Sequence, residues 1–72
     1  METTFDLIMR TNNGVVLLYH KECGYVSTNP GAIYTALEED MKGANKYYAR
    51  LARDLYVQIQ MSGGIKTVMF GN

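Results

Sequence analysis

An Asn-Gly pair between two β-rich runs is the sequence feature that most constrains the fold. The runs read TFDLIMR and VVLLYH, on either side of Asn13 and Gly14. Asn-Gly favours a two-residue type I′ turn, because both residues tolerate positive φ angles. The sequence therefore predicts two antiparallel neighbouring strands in which Met9 lies opposite Leu18.

This register divides the first hairpin between a core face and an outer face. A longer loop with a bulge would change the faces of the second strand, because side chains alternate along a strand. A turn over 21–24 then leads into a short strand over 25–27. The predicted core face holds Phe5, Leu7, Met9, Val16 and Leu18, and the outer face holds Asp6, Ile8, Arg10, Val15, Leu17 and Tyr19.

A helix is predicted to begin within the segment STNPGAIYTALEED and to run to about Arg53. Asn29 is a suitable N-cap, and Pro30 suits the first helical position, where its missing N–H costs nothing. At roughly 100° per residue, seven side chains fall within an arc of about 80° and form a core-facing stripe. They are Ile33, Leu37, Met41, Ala44, Tyr48, Leu51 and Leu55.

Gly43 interrupts this helix, and a glycine inside a helix costs about 1 kcal/mol relative to alanine. We expect a bend or a break there. An unbroken helix of this length would span roughly 36 Å, compared with about 20 to 23 Å for the strands. The excess would require a break, another element or a second subunit to cover it.

The segment LYVQIQMSGGIKTVMF, residues 55–70, is predicted to form a second hairpin. Apolar and polar residues alternate in it, and the turn falls at either 62–63 or 63–64. Both turns place Val68 and Phe70 on the core face with Leu55. The outer face then holds Tyr56, Gln58, Gln60, Ile65, Thr67 and Met69.

Together these elements predict an α+β fold in a single domain, 1–72. The expected architecture is an antiparallel four- to five-stranded sheet packed on one long or kinked helix, in the order β-β-α-β-β. If that helix covers one side of the sheet, the other side is more apolar than a solvent-exposed sheet face normally is.

Charge and cysteine content exclude several classes of function. Seven basic residues balance seven acidic ones, so no net field attracts nucleic acid or an anionic membrane over long range. A single cysteine, Cys23, and the absence of a signal-peptide pattern after Met1 indicate a reducing cytoplasm. The longest apolar run, 15–19, is too short to cross a bilayer, so we expect no membrane partner.

No arrangement of residues indicates catalysis, a cofactor or a metal site, and we expect a protein without enzymatic activity. His20 and Cys23 form an H-x-x-C pair, but the chain has one histidine and one cysteine in total. A zinc site needs at least three ligands, and a thiol enzyme needs an orienting group and an oxyanion site. The carboxylates over 38–40 point in three directions of a helix, and Ser62-Gly63-Gly64 lacks the lysine of a phosphate loop.

Six tyrosines and five methionines indicate an interaction surface, because protein interfaces are enriched in both. The predicted function is a small inhibitor or adaptor that binds another protein stoichiometrically, itself (as a homodimer), or both. Two surfaces are expected to contact the partner, the outer sheet face and a helix flank. Their residues are Leu17, Tyr19, Tyr56, Ile65 and Met69 on the sheet, and Tyr47, Lys46 and Arg50 on the helix.

The alternative is a nucleic-acid-binding accessory protein. Lys42, Lys46, Arg50 and Arg53 have the spacing of one helix face, which could follow a phosphate backbone. This face lies opposite the predicted sheet tyrosines that would stack bases, which disfavours the alternative.

In its size, its lack of a catalytic motif and its tyrosine-rich surface, the chain is similar in style to small phage or mobile-element proteins. Such proteins inhibit a host machine, and anti-CRISPR proteins are among them. The similarity implies a viral inhibitor acting in the host cytoplasm. Many of these inhibitors mimic DNA through strong acidity, whereas this chain is neutral.

Overall fold

A four-stranded sheet and two helices make up the fold, which is α+β as the sequence predicts. The computed structural model describes residues 4–69. The elements are β1 (Asp6–Arg10), β2 (Val16–His20), β3 (Gly24–Ser27), α1 (Pro30–Lys42), α2 (Lys46–Met61) and β4 (Ile65–Thr67).

The strands lie in the order β1-β2-β3-β4, and β4 is parallel to β3. The predicted all-antiparallel sheet and the order β-β-α-β-β are therefore wrong in detail, and the order is β-β-β-α-α-β. The third strand confirms the prediction for 25–27. Both helices lie between β3 and β4 in the sequence, so the chain crosses over one face of the sheet and adds β4 beside β3 in the same direction. Such a crossover is what a parallel pair requires.

The loop of the first hairpin has three residues rather than the predicted two. The N–H of Gly14 donates to the carbonyl of Thr11 at 3.0 Å, and the N–H of Thr11 donates to the carbonyl of Val15 at 2.8 Å. Gly14 has a φ of 84°, whereas no residue other than glycine in 4–69 has a positive φ. A type I′ turn needs positive φ at both central residues, so this is a type I turn with a glycine bulge.

This loop changes the register of the hairpin. Met9 lies opposite Leu17 instead of Leu18, and a second irregularity falls between Leu7 and Met9. Side chains alternate along a strand, so a shift of one residue moves each side chain of β2 to the other face. The predicted faces of β2 are therefore inverted.

The long predicted helix is broken into α1 and α2. Asn29 accepts a hydrogen bond from the N–H of Ala32 at 3.2 Å, which confirms it as the N-cap with Pro30 following. The first helix ends at Gly43, whose backbone is extended. The side chain of Asn45 then accepts from the N–H groups of the next two helical tyrosines at 3.0 and 3.2 Å and starts α2. Glycine and a capping asparagine together favour a break, and α2 folds back along α1.

Residues 55–61 continue α2, so the predicted second hairpin is wrong. The helix ends at Met61 with Ser62 as its C-cap, and Gly63 follows with a φ of 93°. The N–H of Gly63 donates to the carbonyl of Gln60, and that of Gly64 donates to the carbonyl of Ile59. These are the two hydrogen bonds of a Schellman cap, so the glycines end a helix rather than turn a hairpin. Phe70, which the hairpin included, lies outside the described residues.

The core lies between the sheet and the two helices. The molecule measures 42 × 25 × 17 Å along its principal axes, and the smallest dimension leaves room for one sheet and one helical layer. The buried cluster consists of Leu17, Tyr25, Ile33, Leu37, Ala52 and Ile59.

Candidate protein-binding surface

Pairing across the strands shows which side chains share each face of the sheet. Tyr19, Tyr25 and Ile65 form one row across β2, β3 and β4, and Leu17 lies on the same face. Tyr19 and Ile65 pack against the buried cluster that contains Leu17 and Tyr25. This face is therefore the one that the helices cover.

The opposite side of the sheet, called here the outer face, carries a row of apolar residues. Leu7 pairs with Leu18, Leu18 pairs with Val26, and Val26 pairs with Lys66. Leu7 is 56% exposed, Leu18 is partly buried and Val26 is buried outside the core cluster. We define the outer face by the apolar residues Phe5, Leu7, Val16, Leu18 and Val26 with the basic residues Arg10 and Lys66.

Neighbouring rows extend this surface. Phe5 is 38% exposed and lies against the ring of His20, with 5.1 Å between the ring centroids. On the other side of the leucine row, Arg10 pairs with the partly buried Val16. The accessible apolar patch therefore lies at β1 and β2 on the face that the two helices do not cover, while Val26 on β3 is buried.

Four of the predicted outer-face residues belong to the covered side instead. Leu17 has no exposed surface, and Tyr19 contacts Tyr25 with ring centroids 4.9 Å apart. Tyr56 is a helical residue that lies edge-on to Tyr34 at 5.7 Å. Ile65 is partly buried against the core. Their predicted placement is wrong, because it depended on the two-residue turn and on the second hairpin.

The remaining predicted partner-binding residues are exposed. Met69 follows β4 and is 92% exposed. Tyr47 is 68% exposed and lies edge-on to Tyr48, while Lys46 and Arg50 are also exposed on α2. The structure thus separates the predicted residues among the core, the C-terminal end of the described chain and the α2 surface. It does not bring them together.

A second apolar surface lies beside β1, which is an edge strand. Ile8, Leu55 and Leu37 line a groove of about 300 Å³ together with exposed side chains of α2. Tyr48 and Leu51, which the sequence placed in the core stripe, are those exposed side chains. The break after α1 changes the direction of the second helix, so the predicted stripe does not continue through it. Ala44 is exposed in the connection for the same reason.

The basic residues of α2 share one side of that helix. Lys46, Arg50 and Arg53 line a groove of about 500 Å³ with Met41, Ala49 and Asp54. Lys42, the fourth member of the predicted stripe, lies in the last turn of α1. The break therefore leaves three of the four on one helix.

His20 supports the turn between β2 and β3. Its Nδ1 accepts hydrogen bonds from the backbone N–H groups of Glu22 at 3.1 Å and Cys23 at 3.4 Å. The Cys23 thiol is exposed. The contact between these two residues thus involves the cysteine backbone, which favours the structural interpretation of the H-x-x-C pair.

Neither a metal cluster nor a membrane span is found within 4–69. No three or more His, Cys, Asp and Glu side chains in that range are grouped to hold a metal ion. None of its helices is both long enough and apolar enough to cross a membrane. The chain matches no protein-family model, and comparisons with curated proteins and with solved structures give no match either.

Sequence reasoning missed Leu7 and Leu18 as candidate binding residues and placed both in the core. One signal could have found Leu18, whereas the outward position of Leu7 depends on the irregularity between Leu7 and Met9. The loop TNNG also fits a three-residue connection with glycine in the bulge position, and that alternative puts Leu17 inside and Leu18 outside.

Proposed function

We propose that the chain is a small non-enzymatic interaction module, an inhibitor or adaptor, that binds another protein stoichiometrically through the outer face. The observation that carries the proposal is the leucine row of a sheet with helices on only one side. Leu7, at the β1 end of that row, is more than half exposed. Large exposed apolar patches on small proteins commonly mark interaction sites.

The setting we propose is a reducing cytoplasm, the host cytoplasm if the chain is viral. An exposed free thiol at Cys23 supports this setting, because exposed thiols persist where the environment is reducing. A role against a host machine, in the manner of anti-CRISPR proteins, rests on the small size and the lack of a catalytic motif. Self-association as a homodimer stays a prediction.

The experiment compares two exposed apolar positions. The variant Leu7→Asp changes the outer face, and Val57→Asp changes α2, where Val57 is also about half exposed. Tagged wild-type protein and both variants are used to capture partners from an extract of the source cells, after circular dichroism has established that each is folded. Native mass spectrometry then gives the stoichiometry of the captured complex.

We expect wild type and Val57→Asp to capture the partner in a one-to-one complex that tolerates high salt. Leu7→Asp should capture no partner. Salt tolerance is expected because apolar burial, unlike phosphate neutralisation, is not weakened by added salt. Capture that is equal for wild type and Leu7→Asp would contradict the proposal. A complex lost only with Val57→Asp would move the binding surface to α2.

Nucleic-acid binding is the second candidate function. The observation that favours it is the common groove of Lys46, Arg50 and Arg53 on α2. Tyr47 is exposed at the same end of the helix and offers a ring for stacking.

A further inference from the structure

The charges on the outer face all have one sign. Arg10 and Lys66 are the charged residues among the outward-facing strand positions in the described part of the chain, and both are exposed. Asp6, the acidic residue of the strands, pairs with Tyr19 and so belongs to the helix side. Among the strand positions of residues 4–69, no carboxylate shares that face with the two cations.

The two cations lie at opposite edges of the sheet but in neighbouring rows, since Lys66 ends the row of Leu7, Leu18 and Val26 and Arg10 pairs with Val16 in the next row. Arg10 is on β1 and Lys66 is on β4, which are the first and last strands of the sheet. Three strand spacings, or roughly 14 Å, separate them across the sheet, and the offset of one row along the strands adds to this distance. A partner that extends across the outer face from β1 to β4 would therefore meet a positive charge near each edge of the sheet.

This arrangement disfavours a second copy of the chain as the occupant. A two-fold dimer apposes the same patch on both subunits, so it would bring two copies of Arg10 and of Lys66 into one interface. Like charges brought together in an interface oppose association. The carboxylates of α1, Glu38 and Glu39, are exposed on the other layer and cannot enter such an interface.

We propose that the outer face binds a foreign protein segment that combines an apolar stripe with acidic flanks. This inference rests on the proposed function, and it adds the chemistry of the partner. Leu7, Leu18 and the neighbouring ring of Phe5 contact the apolar stripe. Arg10 and Lys66 pair with the carboxylates on either side of it and fix its position over the sheet.

A helical peptide library tests the charge preference. Leucine is fixed at positions i, i+3, i+4 and i+7, and the flanking positions are randomised. The library is selected against the wild-type chain, against the double variant Arg10→Glu with Lys66→Glu, and against Leu7→Asp. Amide chemical shifts of the labelled protein then locate the bound peptide.

We expect the flanking positions of peptides selected on wild type to contain Asp and Glu about three times as often as Lys and Arg. A preference of this size is what partly exposed ion pairs support. The double variant should reverse this preference. Leu7→Asp should weaken the selected peptides by about tenfold or more, which is about 1.4 kcal/mol. The largest shifts should fall on Phe5, Leu7 and Leu18.

Equal flanking charges in the peptides selected on wild type and on the double variant would overturn the inference. If those peptides still required Leu7, the proposed function would stand without the acidic partner. Selection of no peptide, or shifts confined to α2, would also overturn it. Binding of a labelled single-stranded oligonucleotide to this face, lost in the double variant, would assign the cations to nucleic acid instead.

Discussion

Leu17 and Leu18 are adjacent in β2 and lie on opposite faces of the sheet. Leu17 pairs with Met9 and is fully buried under the helices, whereas Leu18 pairs with Leu7 on the outer face. The same residue type therefore serves the core at one position and the candidate binding surface at the next.

The first prediction compares truncation of these two leucines. Leu17→Ala should lower the free energy of unfolding by about 2 to 5 kcal/mol, because it removes buried atoms and leaves a cavity. Leu18→Ala should cost less than about 1.5 kcal/mol, because part of that side chain is already in contact with water. Urea titrations followed by circular dichroism measure both, and equal costs would contradict the face assignment.

The second prediction uses the same substitution at two glycines. Gly63→Ala should destabilise the protein by about 1 to 2 kcal/mol, because alanine is strained at the positive φ that ends α2. Gly31→Ala should stabilise it by up to about 1 kcal/mol, since Gly31 is helical and an added Cβ makes only an ordinary 3.5 Å contact with Asn29.

Thermal unfolding of the two glycine variants gives the sign of each effect. A Gly63→Ala variant as stable as wild type would indicate that the segment after residue 61 does not adopt the Schellman cap. A hairpin turn at 62–63 or 63–64, as the sequence first predicts, would then have to be reconsidered.

The third prediction concerns the break between the helices. Asn45→Ala should cost about 1 kcal/mol, because two N–H groups at the start of α2 lose their acceptor. Asn45→Asp is the matched control and should retain most of the stability, since a carboxylate also accepts these hydrogen bonds. Chemical denaturation measures both. If Asn45→Ala were more stable than wild type, the cap would not be what separates the helices.

The fourth prediction tests the second candidate function. If α2 binds nucleic acid, the charge reversals Lys46→Glu and Arg50→Glu together should abolish binding of a labelled oligonucleotide. The affinity of the wild-type chain should also fall steeply as salt is raised. Arg10→Glu on the outer face is the control, and fluorescence anisotropy measures binding. Affinity that does not change with salt would exclude phosphate contacts as its main source.

Local signals predicted the parts of the fold that depend on neighbouring residues. The cap at Asn29 and Pro30 is confirmed, and so are the strand over 25–27 and the inward positions of Ile33 and Leu37. The cap depends on a short-range hydrogen bond and the inward positions depend on helical periodicity, whereas the strand pairs with β2 across the short turn that the sequence also predicts. The apolar outer face was also expected from the sequence, although with different residues.

The errors have two physical causes. Apolar residues alternate from Leu55 to Met61 as they do in a strand. The spacing of Ala52, Leu55, Tyr56 and Ile59 is also that of one helix face. Short apolar runs do not distinguish the two patterns. An existing helix extends without a new nucleation cost, which favours the helical outcome. In the first hairpin, one extra loop residue was enough to exchange the two faces of β2.

The exposure of the sheet leucines to a soluble probe is the most direct test of this account. A paramagnetic gadolinium chelate is added to protein with labelled leucine methyl groups, and the broadening of each methyl signal is measured. We expect strong broadening for Leu7, intermediate broadening for Leu18 and none for Leu17. Broadening of Leu17 with protection of Leu7 would contradict the account, because the helices would then cover the face that we propose binds a partner.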